Sequence, residues 1–237
     1  MKHLYPVLIF LILTFLMVAS ADSVHFCVMG DTQFDDDDAT IWAVQRMESL
    51  NPDFVVHVGD MIRGYVYSSK VAEKQWEKFF SQIEPIRYKF HPVPGNHDVT
   101  TAEMGPVYNR VWKLPRRYYS FKKMNVLFII LDFFEDPEAI YKLSEDQYEW
   151  MKTELEKNKD ADAIFIFAHP PLFDSHEVEN RDDLHKLWIQ YPVKAFFGGH
   201  HHKFEYFPSD SIDYFCVNTA GRMPYKDHLT GYSNHFM

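Results

Sequence analysis

A set of polar residues scattered through this chain shares one feature: each follows a short apolar run. In order they are Asp31 and Gln33, Asp60, Asn96 with His97 and Asp98, His169, and His200 with His202. Carboxylate, amide and imidazole donors of this kind suit hard or intermediate divalent metals, namely Mn, Fe or Zn. Singly, each match is weak. A Gly-Asp pair after a strand is common, and a lone His is more often a satisfied core residue. Five groups in sequence, each at the end of an apolar run, form a strong joint signal.

The elements that must position them alternate in type. Val24–Met29 runs into Gly30-Asp31, Asp53–Val58 into Gly59-Asp60, and Lys89–Val93 into the Gly95–Asp98 segment. Val126–Leu131 precedes Asp132, Ala163–Ala168 precedes His169, and Ala195–Phe197 precedes Gly198-Gly199-His200. Runs this short and apolar suit strands buried on both faces. Helical spacing of apolar residues marks Ala39–Leu50, Ser69–Ile83, Ser144–Asn158 and Asp182–Tyr191. The third opens on a capping box, Ser144 with Gln147. Phe204–Phe207 and Tyr214–Asn218 flank Pro208-Ser209-Asp210, a hairpin signal. Strands alternating with helices predict a layered α/β fold whose site residues gather at strand C-terminal ends.

The order of these motifs resembles the calcineurin-like metallophosphoesterase superfamily. That family runs Asp-x-His, Gly-Asp, Gly-Asn-His-Asp/Glu, His and Gly-His-x-His, each after a strand. Here the motifs read Gly30-Asp31-Thr32-Gln33, Gly59-Asp60, Gly95-Asn96-His97-Asp98, His169 and Gly199-His200-His201-His202. The segment Ser144–Met151 also resembles the helix the family places between its third and fourth motifs. The resemblance implies a layered two-sheet sandwich flanked by helices and holding two metals. By matching position, Asp31, Gln33, Asp60 and His202 would hold the first metal. Asp60 would bridge to a second metal held by Asn96, His169 and His200. His97 would protonate the leaving oxygen or bind a phosphate oxygen, with Asp98 orienting its ring. His201 falls at the variable position and is expected to face away. Two metals about 3.5–4 Å apart clamp a phosphate and ionise a shared water to hydroxide. The implied function is a metal-dependent phosphoesterase acting on a phosphomonoester or phosphodiester through that metal-bridging hydroxide.

Two positions depart from the pattern. Gln33 stands where most of the family has His; its amide oxygen would ligate directly or through a water. Purple acid phosphatases place a Tyr three positions after the bridging Asp. Arg63 occupies that position here, and Tyr65, two residues further on, is a poor substitute. An Fe(III)–tyrosinate site is therefore not expected. Arg63 would reach a substrate phosphate or form a surface salt bridge.

Composition bounds the alternatives. The chain has 237 residues, 46% hydrophobic and 24% charged, with net charge -10 and 17% aromatic residues. This is ordinary globular composition, and its acidity argues against a nucleic-acid partner; a small phosphoester is the expected one. Two cysteines, Cys27 and Cys216, are too few for a disulfide scaffold and would form one bridge or two separate buried thiols. Lys2 and His3, the apolar run Val7–Val18 and Ala19-Ser20-Ala21 read as a secretory signal peptide over residues 1–21, with an uncleaved membrane anchor as the alternative. Export would place the 22–237 phosphoesterase domain in a secreted, periplasmic or other extracytoplasmic setting.

Several other residues are expected to be structural. These are the acidic Asp35–Asp38 run before the first helix, His57, His91, and the pair Phe133 and Phe134. Substrate contact is open for His176, His185, Asn218 and Gly221-Arg222, and the loops Asp132–Leu143 and Phe173–Asp183 are the expected specificity loops. A metallo-β-lactamase-like enzyme would need His-x-His-x-Asp-His early in the chain, which is absent. A non-catalytic metal- or phosphate-binding protein on the same fold, with Gln33 as a first lost ligand, is the alternative function.

Overall fold

A computed structural model describes residues 23–33, 36–136, 141–173 and 178–221. The expected leader at 1–21, Asp35, His176, Arg222 and parts of both specificity loops lie outside the described residues.

Two sheets carry the site. The first is parallel, in the order β1 (Phe26–Met29), β2 (Phe54–His57), β3 (Phe90–Pro92). The second runs β4 (Tyr119–Lys123), β5 (Val126–Ile130), β6 (Ala163–Phe167), β7 (Val193–Gly198), β9 (Ile212–Cys216), β8 (Glu205–Ser209). Its inner strands β5, β6, β7 and β9 are parallel, while β4 and β8 pair antiparallel at the two edges. This is the expected layered α/β architecture, with two sheets flanked by helices.

Successive side chains on a strand point to opposite faces, and in the inner strands both faces are largely buried. Val28, Val56, Phe128, Ile130 and Phe167 belong to one core cluster. Their neighbours Cys27, Met29, Val55, Leu127, Ile129, Ile164 and Ile166 belong to a second. The first cluster lies between the sheets. The Phe128 ring is 4.8 Å from that of Phe54 and 5.5 Å from that of Phe26, across the interface. The second cluster is completed by helices. It holds Val44 and Met47 of α1 (Asp37–Leu50) and Trp76 and Phe79 of α2 (Ser69–Gln82). It also holds Met151 and Leu155 of α5 (Glu145–Lys157), and Leu184 and Trp188 of α6 (Arg181–Trp188). Ser144 caps α5 by accepting the Gln147 N–H, as the capping box predicts.

Several elements escape the sequence pattern, β4, α4 and α3 among them. The edge strand β4 is half-buried and ends in Lys122-Lys123, charges that blunt an open edge. Helix α4 (Met104–Trp112) begins Met-Gly-Pro, where the proline sits in the first turn and costs no hydrogen bond. The one-turn α3 (Asn96–Val99) is the third motif itself. The hairpin forms, but its turn falls at Asp210-Ser211, with Asp210 at φ 51. Pro208 lies within the edge strand β8, where a missing N–H is tolerated. Cys27 and Cys216 are separate buried thiols.

His57 is structural as expected. Its ring is fully buried, 3.3 Å from the Thr32 hydroxyl and packed on Phe79 and Phe90. Burial disfavours its charged form and brings it down from the ordinary 6.5 to about 3. The folded protein therefore stays unprotonated at His57 over a range in which the unfolded chain takes up a proton. That stability is complete above pH 6.5 and falls as pH drops toward 3. Between pH 7.5 and 5.5 the wild type is expected to lose about 1.4 kcal/mol more than His57→Gln. Urea unfolding at the two pH values measures it; equal losses would reject the assignment.

Candidate metal centre

Each candidate ligand stands just beyond the C-terminal end of a parallel strand, Asn96 at the start of α3 and the others in loops. Asp31 and Gln33 follow β1, Asp60 follows β2, Asn96 follows β3, His169 follows β6, and His200 and His202 follow β7. The backbone turns sharply there. Asp31 (φ 53), Gln33 (φ 38), Asp60 (φ 60), His200 (φ 74) and His202 (φ 53) are all left-handed. For non-glycine residues this costs of order 1 kcal/mol each and persists only where surrounding bonds over-determine it.

Those bonds are visible. The Asp31 N–H donates to the Gly59 carbonyl and the Thr32 N–H to the Asp60 carbonyl, each at 3.0 Å. The Asp98 carboxylate accepts from the N–H groups of Asp60 (2.8 Å), Met61 (2.9 Å), Ile62 (3.2 Å) and Gly95 (3.0 Å). Gly95 also leaves room for the neighbouring motif, since a Cβ there would lie 2.3 Å from Asp60 Oδ1. Burial and the Asp60 charge push the Asp98 carboxyl up to about 8, opposed by those donated N–H groups.

This corrects the expectation that Asp98 orients His97. Asp98 is fully buried, and the main chain of two loops uses its oxygens. The His97 ring is held instead by the Arg63 carbonyl, 2.6 Å from Nδ1.

The ligand atoms gather in two overlapping groups. Asp60, His169 and His200 form one, and Asp31, Asp60 and His202 the other; within each, the atoms lie within 4.8 Å of one another. Asp60 is common to both. Its Oδ2 is 3.2 Å from His169 Nε2, and Asp31 Oδ1 is 3.2 Å from His202 Nε2. His200 Nδ1 lies 3.2 Å from His169 Nε2. His169 donates its Nδ1–H to the Val58 carbonyl at 2.7 Å, which aims Nε2 into the centre, a common support for a metal-ligating imidazole. The Asp31 carbonyl accepts from the Thr219 hydroxyl at 2.7 Å.

Electrostatics and donor chemistry both fit a cation. Burial resists ionisation of Asp60, yet His169 and His97 hold its carboxyl below the usual range. Burial likewise opposes protonation of His169, but Asp60 and Asp31 outweigh it and push the imidazole up to about 9. The paired carboxylates thus demand positive charge. His200 goes the other way, lowered by burial and by His169 to about 4. Gln33 Oε1 and Asn96 Oδ1 are buried oxygens without a hydrogen-bond partner among the described residues. An unpaired buried oxygen is costly in a finished fold but expected of a metal ligand. Gln33 also braces the shared carboxylate, with Nε2 2.5 Å from Asp60 Oδ2.

Other singled-out residues resolve as follows. His201 turns away from the centre toward Glu205, 3.2 Å from its Nδ1. Phe133 and Phe134 are buried, and Phe134 packs 5.9 Å from the His169 ring. Asn218 turns its Oδ1 to the Thr219 N–H at 2.8 Å, and His185 bonds to Tyr214 and Asp210. Asp36 caps α1 and Asp37 pairs with Lys78. Two tyrosines join the site that spacing alone did not reveal. The Tyr65 hydroxyl accepts from Asn96 Nδ2 at 2.8 Å, and the Tyr141 hydroxyl is 3.4 Å from His200 Nε2.

Strand-end carboxylates, amides and imidazoles converge on one shared Asp, a donor set suited to divalent cations. The chain belongs to the calcineurin-like phosphoesterase family, whose model matches residues 24–204. It is 27% identical over 190 residues to the serine/threonine-protein phosphatase CPPED1 of Bos taurus, covering 68% of this chain and 57% of that protein. It is 23% identical to a probable inactive purple acid phosphatase 9 of Arabidopsis thaliana, covering 70% of this chain and 32% of that one. The chain thus spans between a third and just over half the length of these relatives. A dimetal phosphatase from Danio rerio shares the fold with TM-score 0.68 at 15% identity, covering 85% of this chain and 89% of that one.

The overlap at Asp60 predicts unequal losses of metal. Calorimetric titration with Mn²⁺ is expected to give two ions per wild-type chain, one tight ion for His202→Ala and none for Asp60→Asn. Mn²⁺ at about 100 times its dissociation constant should stabilise the wild type by about 2.7 kcal/mol per site and Asp60→Asn by nothing. Two tight ions in Asp60→Asn would remove the shared-ligand geometry.

Proposed function

We propose that this protein is a phosphoric ester hydrolase that uses two divalent ions, Mn, Fe or Zn, to cleave a small phosphomonoester or phosphodiester. The observation that carries the reading is the pair of ligand groups sharing Asp60. Asp31, Gln33, Asp60 and His202 would hold one ion, and Asp60, Asn96, His169 and His200 the other. When bound, such ions supply positive charge to phosphate oxygens and acidify water.

The chain's own residues do the rest. The Gln33 nitrogen holds Asp60, which leaves the buried amide oxygen as the end that would face the first ion, directly or through a water. His97 stands at the half-open edge, its Nε2 3.8 Å from Asp60 Oδ2. With Nδ1–H spent on the Arg63 carbonyl, the proton on Nε2 of an imidazolium is the one available to a leaving oxygen. Asp98 acts at a distance by locking the Asp60 and Gly95 loops together.

A second reading, a non-catalytic metal- or phosphate-binding protein, draws on Gln33 and on the relative described as probably inactive. One assay separates them: hydrolysis of p-nitrophenyl phosphate and its bis ester with Mn, Fe or Zn. Metal-dependent turnover is expected, falling at least 100-fold in His97→Ala, the scale of a lost general acid, and to background in Asn96→Ala. Fewer than two bound ions without turnover of either ester would favour the binding protein.

The apolar leader supports export of the 22–237 segment. N-terminal sequencing of protein recovered outside the cytoplasm is expected to begin at Asp22; a chain still starting at Met1 in the membrane fraction would favour an anchor.

A further inference from the structure

The loop between β2 and α2 passes directly over the third motif. Gly64 makes this possible. Its φ is 62, and a Cβ there would fall 1.6 Å from the His97 carbonyl oxygen, so no other residue fits without moving the loop. The next residue, Tyr65, is also left-handed at φ 49, although it is neither Gly, Asn nor Asp. Strain of this kind in a bulky residue needs a reason nearby. Two contacts supply one. The Tyr65 ring stands edge-on to the His97 ring at 4.6 Å, and its hydroxyl accepts a hydrogen bond from Asn96 Nδ2 at 2.8 Å.

The second contact bears on ligation. An amide has two ends, and only the oxygen can bind a cation. Asn96 places its nitrogen on the phenol, and its oxygen is left buried with no hydrogen-bond partner among the described residues. If the amide rotated by half a turn, an N–H pair would face the centre and repel a cation. The phenol accepts from the amide nitrogen in the one orientation that leaves the oxygen free for a cation, so this hydrogen bond favours the ligating rotamer.

We propose that Tyr65 is a positioning residue for the second metal site: through Asn96 Nδ2 it holds the amide oxygen toward the centre. This rests on the two-metal reading above and adds a partner for the Asn96 ligand. It also gives the phenol a role other than the Fe(III)-tyrosinate ligation of purple acid phosphatases. Hydrogen-bonded supports of a ligand are worth about 10–100-fold in metal affinity.

The test is calorimetric titration of the chelator-stripped full chain with Mn²⁺, comparing wild type with Tyr65→Phe. The variant keeps the ring against His97 and loses only the hydroxyl. One of the two binding steps is expected to weaken about tenfold or more, while the other step and the melting temperature of the stripped protein stay unchanged. With p-nitrophenyl phosphate, the Mn²⁺ concentration for half-maximal rate should rise by a similar factor, and kcat at saturating Mn²⁺ should return to near the wild-type value. Tyr65→Phe with both steps unchanged would overturn the proposal. So would an equal weakening of both steps with a lowered melting temperature, which is the mark of a merely structural role. The calorimetry reads the proposal even if no ester is turned over. A wild type that binds fewer than two ions would overturn the two-metal reading and this assignment with it.

Discussion

The structure depends on one carboxylate that must stay charged with almost no water around it. Asp60 is 1% exposed and belongs to both groups of potential ligands. A buried charge is tolerated only when it is paired and hydrogen-bonded. Three of the motif segments answer to that need. The His97 N–H donates to Asp60 Oδ1 from the third motif, Gln33 Nε2 donates to Oδ2 from the first, and His169 approaches Oδ2 from the fourth. These donors come from both sheets. The carboxylate is thus a tie between the sheets as well as a candidate ligand.

The same logic explains why the site costs backbone strain. To bring ligands from several strands within a few ångströms of one point, the loops must turn back immediately after leaving the sheet. Left-handed residues turn the chain in the fewest positions, and five candidate ligands adopt that conformation. The strain is offset by main-chain bonds between loops, above all the four N–H groups converging on Asp98. The aromatic layer between the sheets, centred on Phe54 and Phe128, fixes the strands from which the loops spring.

Much of this was legible in the sequence because strand ends and polar motifs coincide. Apolar runs bounded by Gly-Asp or His gave the strands leading to the motifs and the order of the candidate ligands. Their burial on both faces matches the lack of alternation in those runs. The failures share a cause. β4 is half polar because it is an edge strand, and α4 hides behind a Gly-Pro start, so local pattern contradicts the final state. The role expected of Asp98 failed differently. The family resemblance implied the His97 ring as its partner, but the one-turn helix α3 turns Asp98 inward to the β2 loop. Its true partners are main-chain N–H groups, which no residue type announces.

Tyr65 is the sharpest case of that blindness. Counting positions from Asp60 placed it two residues too far to matter, which would hold for a regular turn. Gly64 changes the path: by letting the backbone press against the His97 carbonyl, it carries Tyr65 back over the motif and onto Asn96. Distance along the chain therefore misjudges distance in space wherever a left-handed pair interrupts the loop. The residue nearest a ligand's free end is then set by the glycine that permits the approach. In this centre Gly64 and Gly95 decide which side chains meet, and the side chains decide what they can hold.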